Sequence, residues 1–365
     1  MLRAATLSDV SLLPPPPGRS VASDNAAGAH PAVLQAVIDA NDGHVLAYGS
    51  DPFTAECEER MRDLFGADVI TRLCFNGTGA NVAALATMLG SLRGPHHAIV
   101  CTNWSHIHAD ETGAPERILG TKLIDVASPD AKLTPEMIDS VASLGGVVHH
   151  VQPGIVSITQ PTELGTVYSV DEVAGVCEAA HRHGMLVHLD GARLANATAA
   201  LGGTREALRS FTIDAGVDVV SFGGTKNGAL SAEAVVFLNP EAAIGSQYVR
   251  KQVTQLASKM RFLAAQFNAL LHDDLWIELG RHANTLASEL HGLVSVIDGV
   301  EVVAPQVNSL FPMLPPSMIE PLRDWCFFWD WDTSIHQVRW MTAWDTTRED
   351  LERFAAGVRA LAERP

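Results

Sequence analysis

The chain has 365 residues, 47% of them hydrophobic, and a formal net charge of −17 at pH 7, which is ample apolar material for one large core and a smaller one. That charge excludes nucleic acid and anionic membranes as general partners, and no apolar stretch has the length of a membrane span. The five cysteines, Cys57, Cys74, Cys101, Cys177 and Cys326, are scattered without paired spacing, so a reducing compartment is expected, with neither a disulfide framework nor a metal site.

Residues 1–20 contain Leu12-Leu13 followed by Pro14 to Pro17. They have neither a basic start nor a long apolar core, so no secretory signal is read and a cytoplasmic protein is expected. Polyproline favours an extended, solvated chain, and this tail is expected to be poorly ordered or to lie along another subunit. Further on, Phe75-Asn76-Gly77-Thr78-Gly79-Ala80-Asn81 leads into the apolar helical run Val82 to Leu89. Its glycines let a ligand approach the backbone, and a helix start offers unpaired N–H groups and a favourable dipole to a phosphate. Dinucleotide and Walker spacings are missing, so taken alone the motif is equally an ordinary strand-to-helix turn.

Strands are predicted at Ala98-Ile99-Val100, Gly146-Val147-Val148, Val156-Ser157-Ile158, Leu186-Val187-His188-Leu189 and Val217-Asp218-Val219-Val220, alternating with helical stretches. Such alternation implies an α/β protein with a mainly parallel sheet covered by helices on both faces. The fourth run ends in Asp190-Gly191-Ala192-Arg193. A carboxylate at the carboxyl end of such a strand reaches a crevice, where it can keep a pyridine nitrogen protonated; an Asp there is equally often a helix cap. The fifth run leads into Ser221-Phe222-Gly223-Gly224-Thr225-Lys226-Asn227-Gly228. A lysine on a short loop behind a buried strand is desolvated, which lowers its pKa and makes its amine a nucleophile toward an aldehyde. Alone, this turn is more often a surface feature. A phosphate turn, an Asp and a Lys in that order point together to pyridoxal 5'-phosphate.

The stretch from Ala242 to about Leu293 reads as helix, interrupted near His272-Asp273-Asp274. Beyond it, Val300 to Val303, Phe311 to Leu314, Cys326-Phe327-Phe328 and Gln337 to Met341 read as antiparallel strands, closed by a helix from Arg348 to Ala362.

These motifs are joined by Ser23-Asp24-Asn25, Gly28-Ala29-His30-Pro31, Tyr48-Gly49 with Asp51, Ser105-His106-Ile107 and Glu111-Thr112-Gly113. Together they make the chain, from about Ala22 onward, resemble the low-specificity L-threonine aldolases of the pyridoxal phosphate fold type I (aspartate aminotransferase) superfamily. Phe222 to Gly228 and Leu256 to Leu263 carry that resemblance most specifically. It implies a large domain over residues 21–270 with a mainly parallel sheet of the seven-stranded type, and a smaller C-terminal α+β domain over residues 271–365.

The resemblance also implies site roles. Lys226 would hold pyridoxal 5'-phosphate, Asp190 would pair with its ring nitrogen and His106 would stack on the ring. Gly77, Thr78, Gly79 and Arg193 would complete the cofactor site, while Ser23, Arg193 and Arg339 would take the substrate's α-carboxylate. Lys251 and Arg261 resemble residues that meet a neighbouring subunit's phosphate in a homotetramer, a dimer of dimers. The implied reaction is retro-aldol cleavage of L-threonine or L-allo-threonine, as β-hydroxy-α-amino acids, to glycine and an aldehyde. Phenylserine cleavage, β-elimination, racemisation and a catalytically silent relative stay open on the same scaffold. The base for the β-hydroxyl proton is open among Glu163, His106 and a water on the cofactor phosphate. Phe328-Trp329-Asp330-Trp331 and His336, near Arg339, depart from the family pattern and are expected to reshape the side-chain pocket.

Overall fold

A computed structural model of the protein describes residues 13–92 and 96–364. Seven strands form one sheet in the order β1-β7-β6-β5-β4-β2-β3. They are β1 (Ile70–Cys74), β2 (His97–Thr102), β3 (Leu123–Val126), β4 (Gln152–Thr159), β5 (Leu186–Gly191), β6 (Val219–Gly223) and β7 (Glu233–Phe237). β7 lies antiparallel to both β1 and β6, and the remaining pairs are parallel, so the expected mainly parallel sheet is present.

Strands buried on both faces read as apolar runs rather than as alternation, and every residue of β6 and β7 is buried. Successive residues still serve opposite faces. Ile99, Ile155, Val219 and Val235 pack with Ala80, Leu85 and Met88 of helix Gly77–Ser91. Val100, Val156, Val220 and Val236 pack on the other side with Val173 and Val176 of helix Val170–Arg182 and Phe267 of helix Arg261–Leu271.

Four of the five predicted strands fall in β2, β4, β5 and β6. Gly146-Val147-Val148 does not form one: Gly146 has φ +78° and Val148 is 90% exposed, in a turn before β4. The register of β4 begins at Gln152 with β2 and at Ile155 with β5, which leaves that apolar pair without a neighbouring strand. β1, β3 and β7 complete the sheet at positions where no strand was read.

The helical stretch beyond residue 242 divides into Ser246–Gln252, Arg261–Leu271 and Leu275–Val294. One break falls where expected, with Asp273 and Asp274 at φ +49° and +56°; another, at residues 253–260, has Thr254 at φ +63°. Helix Leu275–Val294 gives Trp276 and Ile277 to the core under the sheet. Its Leu286, Leu290 and Val294 enter a second core with Val338, Trp340, Leu351, Phe354 and Val358.

Around that second core, β8 (Ser309–Leu310), β10 (Gln337–Met341) and β9 (Trp329–Asp332) form an antiparallel sheet. Only the last predicted strand matches an observed one. Val300 to Val303 and Phe311 to Leu314 meet solely through a bridge between Glu301 and Met313. Cys326 to Phe328 precedes β9, with Phe328 turned inward on Trp340 at 6.1 Å between ring centres. The closing helix is Arg348–Ala362 as predicted, started by a reciprocal cap between Thr347 and Asp350.

Residues 1–12 of the predicted tail lie outside the described residues. The remainder runs along this chain's own C-terminal part. Trp325 Nε1 donates to the Pro14 carbonyl at 2.7 Å, and Arg19 pairs with Asp345 at 3.2 Å and Asp350 at 3.4 Å.

Candidate active site

The parallel strands end along one edge of the sheet, and the turns that follow them meet in a pocket of about 530 Å³ including its mouth. Register sets the first row: Thr159 of β4 lies beside Asp190 of β5, and Asp190 beside Ser221 of β6.

Lys226 enters this pocket from the turn after β6. The turn is locked from three sides. Asn227 Nδ2 donates to the Trp276 carbonyl at 2.9 Å, His30 N–H to the Gly228 carbonyl at 2.8 Å, and Ala232 N–H to Thr225 Oγ1 at 3.2 Å. Gly228 holds φ +94°, where a side chain would be strained. Gly223 is required by proximity, since a Cβ there would come within 2.5 Å of the Ala192 carbonyl oxygen. Burial and the neighbouring Arg193 guanidinium depress the Lys226 pKa. An amine freed of its proton is the state in which lysine attacks an aldehyde.

Asp190 is buried, with Oδ2 accepting from Asn81 Nδ2 at 2.8 Å and Oδ1 from Ala192 N–H at 3.0 Å. Asn81 stands one turn into helix Gly77–Ser91 and also donates to Glu111 Oε1 at 2.9 Å. Glu111 Oε1 lies 3.0 Å from His106 Nδ1, and this hydrogen bond, outweighing burial, raises the histidine pKa. Asp190, Asn81, Glu111 and His106 thus form one hydrogen-bonded chain along the pocket wall.

Two further carboxylates line the pocket. Glu163 Oε1 accepts from Thr159 Oγ1 and His106 N–H, each at 2.8 Å, while its Oε2 is buried without a partner. Burial pushes its pKa up to about 7. Glu233, at the start of β7, accepts from Gly224 N–H at 3.2 Å and is likewise pushed up to about 7 by burial. Behind the row, His188 bridges Ser157 and Ser221 at 2.9 Å each, and burial depresses its pKa to about 4.

Gly77 and Thr78 line the pocket at the start of a 15-residue helix, and a Cβ on Gly77 would meet nothing within 4 Å. Gly79 does not line it. Its N–H is capped by Asn76 Oδ1 at 2.7 Å, and a Cβ there would lie 2.2 Å from the Gln255 side-chain amide, which closes over this turn. An open helix start, a depressed lysine and a hydrogen-bonded carboxylate in one pocket are the donor set pyridoxal 5'-phosphate needs, so the residues present fit that group.

The predicted carboxylate-binding residues separate. Arg193 lines the pocket, but Asp24 fills its fork, with Nε to Oδ2 at 2.6 Å and Nη2 to Oδ1 at 3.0 Å. Asp24 is 2% exposed; burial would raise its pKa, but Arg193 outweighs this and holds it below the usual carboxylate range. Arg339 does not line the pocket itself but feels the charges of Arg193 and Asp24 at its edge; its Nε is buried without a partner, and its guanidinium lies 5.4 Å from the Trp331 ring centre. Trp331 stacks on Trp104 at 6.2 Å and meets Phe311 edge-on at 5.0 Å. Of the departures near Arg339, Trp331 lines a separate pocket with Trp104, Leu164 and Phe311, Phe328 is core and Trp329 is 53% exposed. Ser23 lines a different pocket, against Arg19 and Asp345, and accepts from Asn25 N–H. Lys251 stacks over Tyr48, and Arg261 donates to the Asp42 and Gly43 carbonyls; neither lines the pocket of Lys226.

The sequence motifs by themselves assign no role to Asp24, Asn81, Glu111 and Glu233. The first three lie inside quoted motifs, and helical spacing alone puts Asn81 on the face that Gly77 and Thr78 share. Glu233 had no local signal, because the antiparallel turn into β7 delivers it.

The family of beta-eliminating lyases matches residues 20–315. The low-specificity L-threonine aldolase of Pseudomonas sp. (strain NCIMB 10558) is 40% identical over 346 residues, covering 93% of this chain and 97% of its own. The enzyme of the same name from Pseudomonas aeruginosa is 40% identical over 344 residues, covering 93% and 96%. The solved threonine aldolase of Leishmania major superposes with a TM-score of 0.85 at 29% identity, over 94% of this chain and 99% of that one.

Proposed function

Because the chain belongs to the beta-eliminating lyase family, among its low-specificity L-threonine aldolases, we propose that it cleaves L-threonine, L-allo-threonine and related β-hydroxy-α-amino acids to glycine and an aldehyde, using pyridoxal 5'-phosphate. The observation that carries this reading is the meeting of a desolvated Lys226 with a hydrogen-bonded Asp190 in one pocket at the ends of neighbouring strands.

Lys226 holds the cofactor through its amine, Asp190 its ring nitrogen, and Gly77 and Thr78 its phosphate, with His106 against its ring. Bound there, the cofactor supplies a sink for the electron pair left on Cα when a bond to that carbon breaks. Arg339 takes the α-carboxylate, since its Nε is buried and unpartnered. Arg193, already paired with Asp24, adds positive field beside it. Ser23 is given no part.

The test mixes purified protein with pyridoxal 5'-phosphate and L-threonine, following visible absorption of the bound cofactor and acetaldehyde release, beside K226A. Acetaldehyde and glycine from the wild type, and neither from K226A, support the proposal. Ammonia and a keto acid from serine, without aldehyde from threonine, would move it to β-elimination.

The large and small domains are proposed to meet at the Asp273–Asp274 break. Five free, buried cysteines support a reducing, cytoplasmic setting, and no helix among the described residues is long and apolar enough to cross a membrane. Exposed Ile38, Leu46, Tyr48, Ile244 and Tyr248 support a homo-oligomer, read as a tetramer, which sedimentation velocity would test.

A further inference from the structure

Resting on that functional reading, we propose that Glu163 is the catalytic residue that takes the β-hydroxyl proton, through its Oε2 oxygen. The buried carboxylate lines the same pocket as Lys226 and Asp190. Its two oxygens are used differently. Oε1 is saturated by Thr159 Oγ1 and His106 N–H, which fix the side chain in place. Oε2 is buried and has no partner. A buried carboxylate oxygen without a donor is costly, and one left so in a ligand pocket calls for a donor on the ligand.

The substrate offers three polar groups. Its amine exchanges at Lys226, and its carboxylate is repelled by Glu163 and belongs with Arg339, so the hydroxyl on Cβ remains for Oε2. His106 suits the task less. Its Nδ1 is engaged by Glu111, and that bond holds its proton more tightly than in a free imidazole. Glu163 stands near neutrality, where a group both accepts and releases a proton, because burial opposes its two hydrogen-bond donors. Glu233, the other raised carboxylate, accepts from the Lys226 turn at Gly224 N–H. The charged and titratable groups around Glu163 are His106, Cys101, Asp190, Arg193 and Tyr168, with Lys226 sharing the pocket.

In the step itself the O–H proton passes to Oε2. The O–H pair becomes the second C–O bond of the aldehyde, the Cα–Cβ bond breaks, and its pair stays on Cα. A proton then returned to Cα completes glycine, so no oxidant or reductant is consumed.

The experiment compares wild type, E163Q and T159V, all loaded with cofactor, in three measurements. These are visible absorption of the bound cofactor, exchange of the glycine Cα proton in heavy water by NMR, and the pH profile of kcat/KM for L-threonine cleavage. Glycine has no β-hydroxyl, so its exchange needs the rest of the site but not this base. The expected result for E163Q is normal absorption and glycine exchange within about threefold, with cleavage down about 10²–10⁴-fold and its acidic limb gone. T159V removes a donor that favours the carboxylate, so its acidic limb should move to higher pH.

Cleavage by E163Q within tenfold of wild type, glycine exchange lost in parallel with cleavage, or an unmoved limb in T159V would each overturn the assignment. A wild type that exchanges glycine but cleaves no β-hydroxy amino acid would instead sink the functional reading, and this inference with it.

Discussion

Asp24→Asn is the most informative perturbation of the fold around the site. Asp24 is 2% exposed and meets Arg193 through two hydrogen bonds of 2.6 and 3.0 Å, with Asn308 Nδ2 at 3.2 Å on Oδ2. It therefore joins the N-terminal segment, the turn after β5 and the C-terminal part. Removing one partner of a buried ion pair costs about 3–5 kcal/mol, because the other charge stays desolvated and uncompensated. The Arg193 side chain is 19% exposed, so the lower end, about 3 kcal/mol, applies. In a chain of this length that lowers Tm by about 4 °C.

The assay is thermal unfolding of the cofactor-loaded protein at fixed cofactor concentration, since ligand binding itself raises Tm. D24N/R193M removes both charges and should recover most of the loss. The sign with pH follows from the depressed Asp24 pKa. Its stabilisation is present above the unfolded carboxylate value and is lost as pH falls through the folded one. The gap between wild type and D24N should therefore close below about pH 4. A D24N protein within 1 °C of wild type at neutral pH, or a double variant no better than the single, would refute the view that the pair is a desolvated, mutually dependent unit.

Gly79→Ala drives a methyl against the Gln255 amide, whose Oε1 also holds Phe75 N–H at 2.9 Å. It should cost about 1–3 kcal/mol, seen as a lower Tm and weaker cofactor retention on dialysis; G79A/Q255A should relieve the clash. Arg339→Lys keeps the charge but loses the planar fork and its packing on Trp331. Steady-state kinetics should show KM for threonine rising about tenfold or more while kcat changes less, and an unchanged KM would remove Arg339 from carboxylate binding. Thr347→Ala deletes half of a reciprocal cap that does not line the pocket. Denaturant unfolding should register about 1 kcal/mol, with kcat/KM unaltered.

How much could be read in advance follows from how local each signal is. Apolar runs ending in Asp190 and in the Lys226 turn made the parallel sheet and its carboxyl edge legible, because strands buried on both faces must be apolar along their whole length. The helix start at Gly77 and the closing helix from Arg348 were legible for the same reason, their caps being encoded within four residues. Gly146 to Val148 misled because local apolarity cannot say whether a neighbouring strand will be there to pair with.

What only the tertiary structure decided are relations between residues far apart in the chain. Arg193 and Asp24 are separated by 169 positions, and their pairing fills the fork that the family resemblance assigned to a substrate carboxylate. Glu163 and His106 are separated by 57, and their contact leaves one carboxylate oxygen satisfied and the other bare. Residue types and their order determine which chemistry is available, since they follow from covalent structure and local propensity. Which charges neutralise one another and which remain for a ligand depends on packing distances and desolvation, and those exist only once the strands have come together.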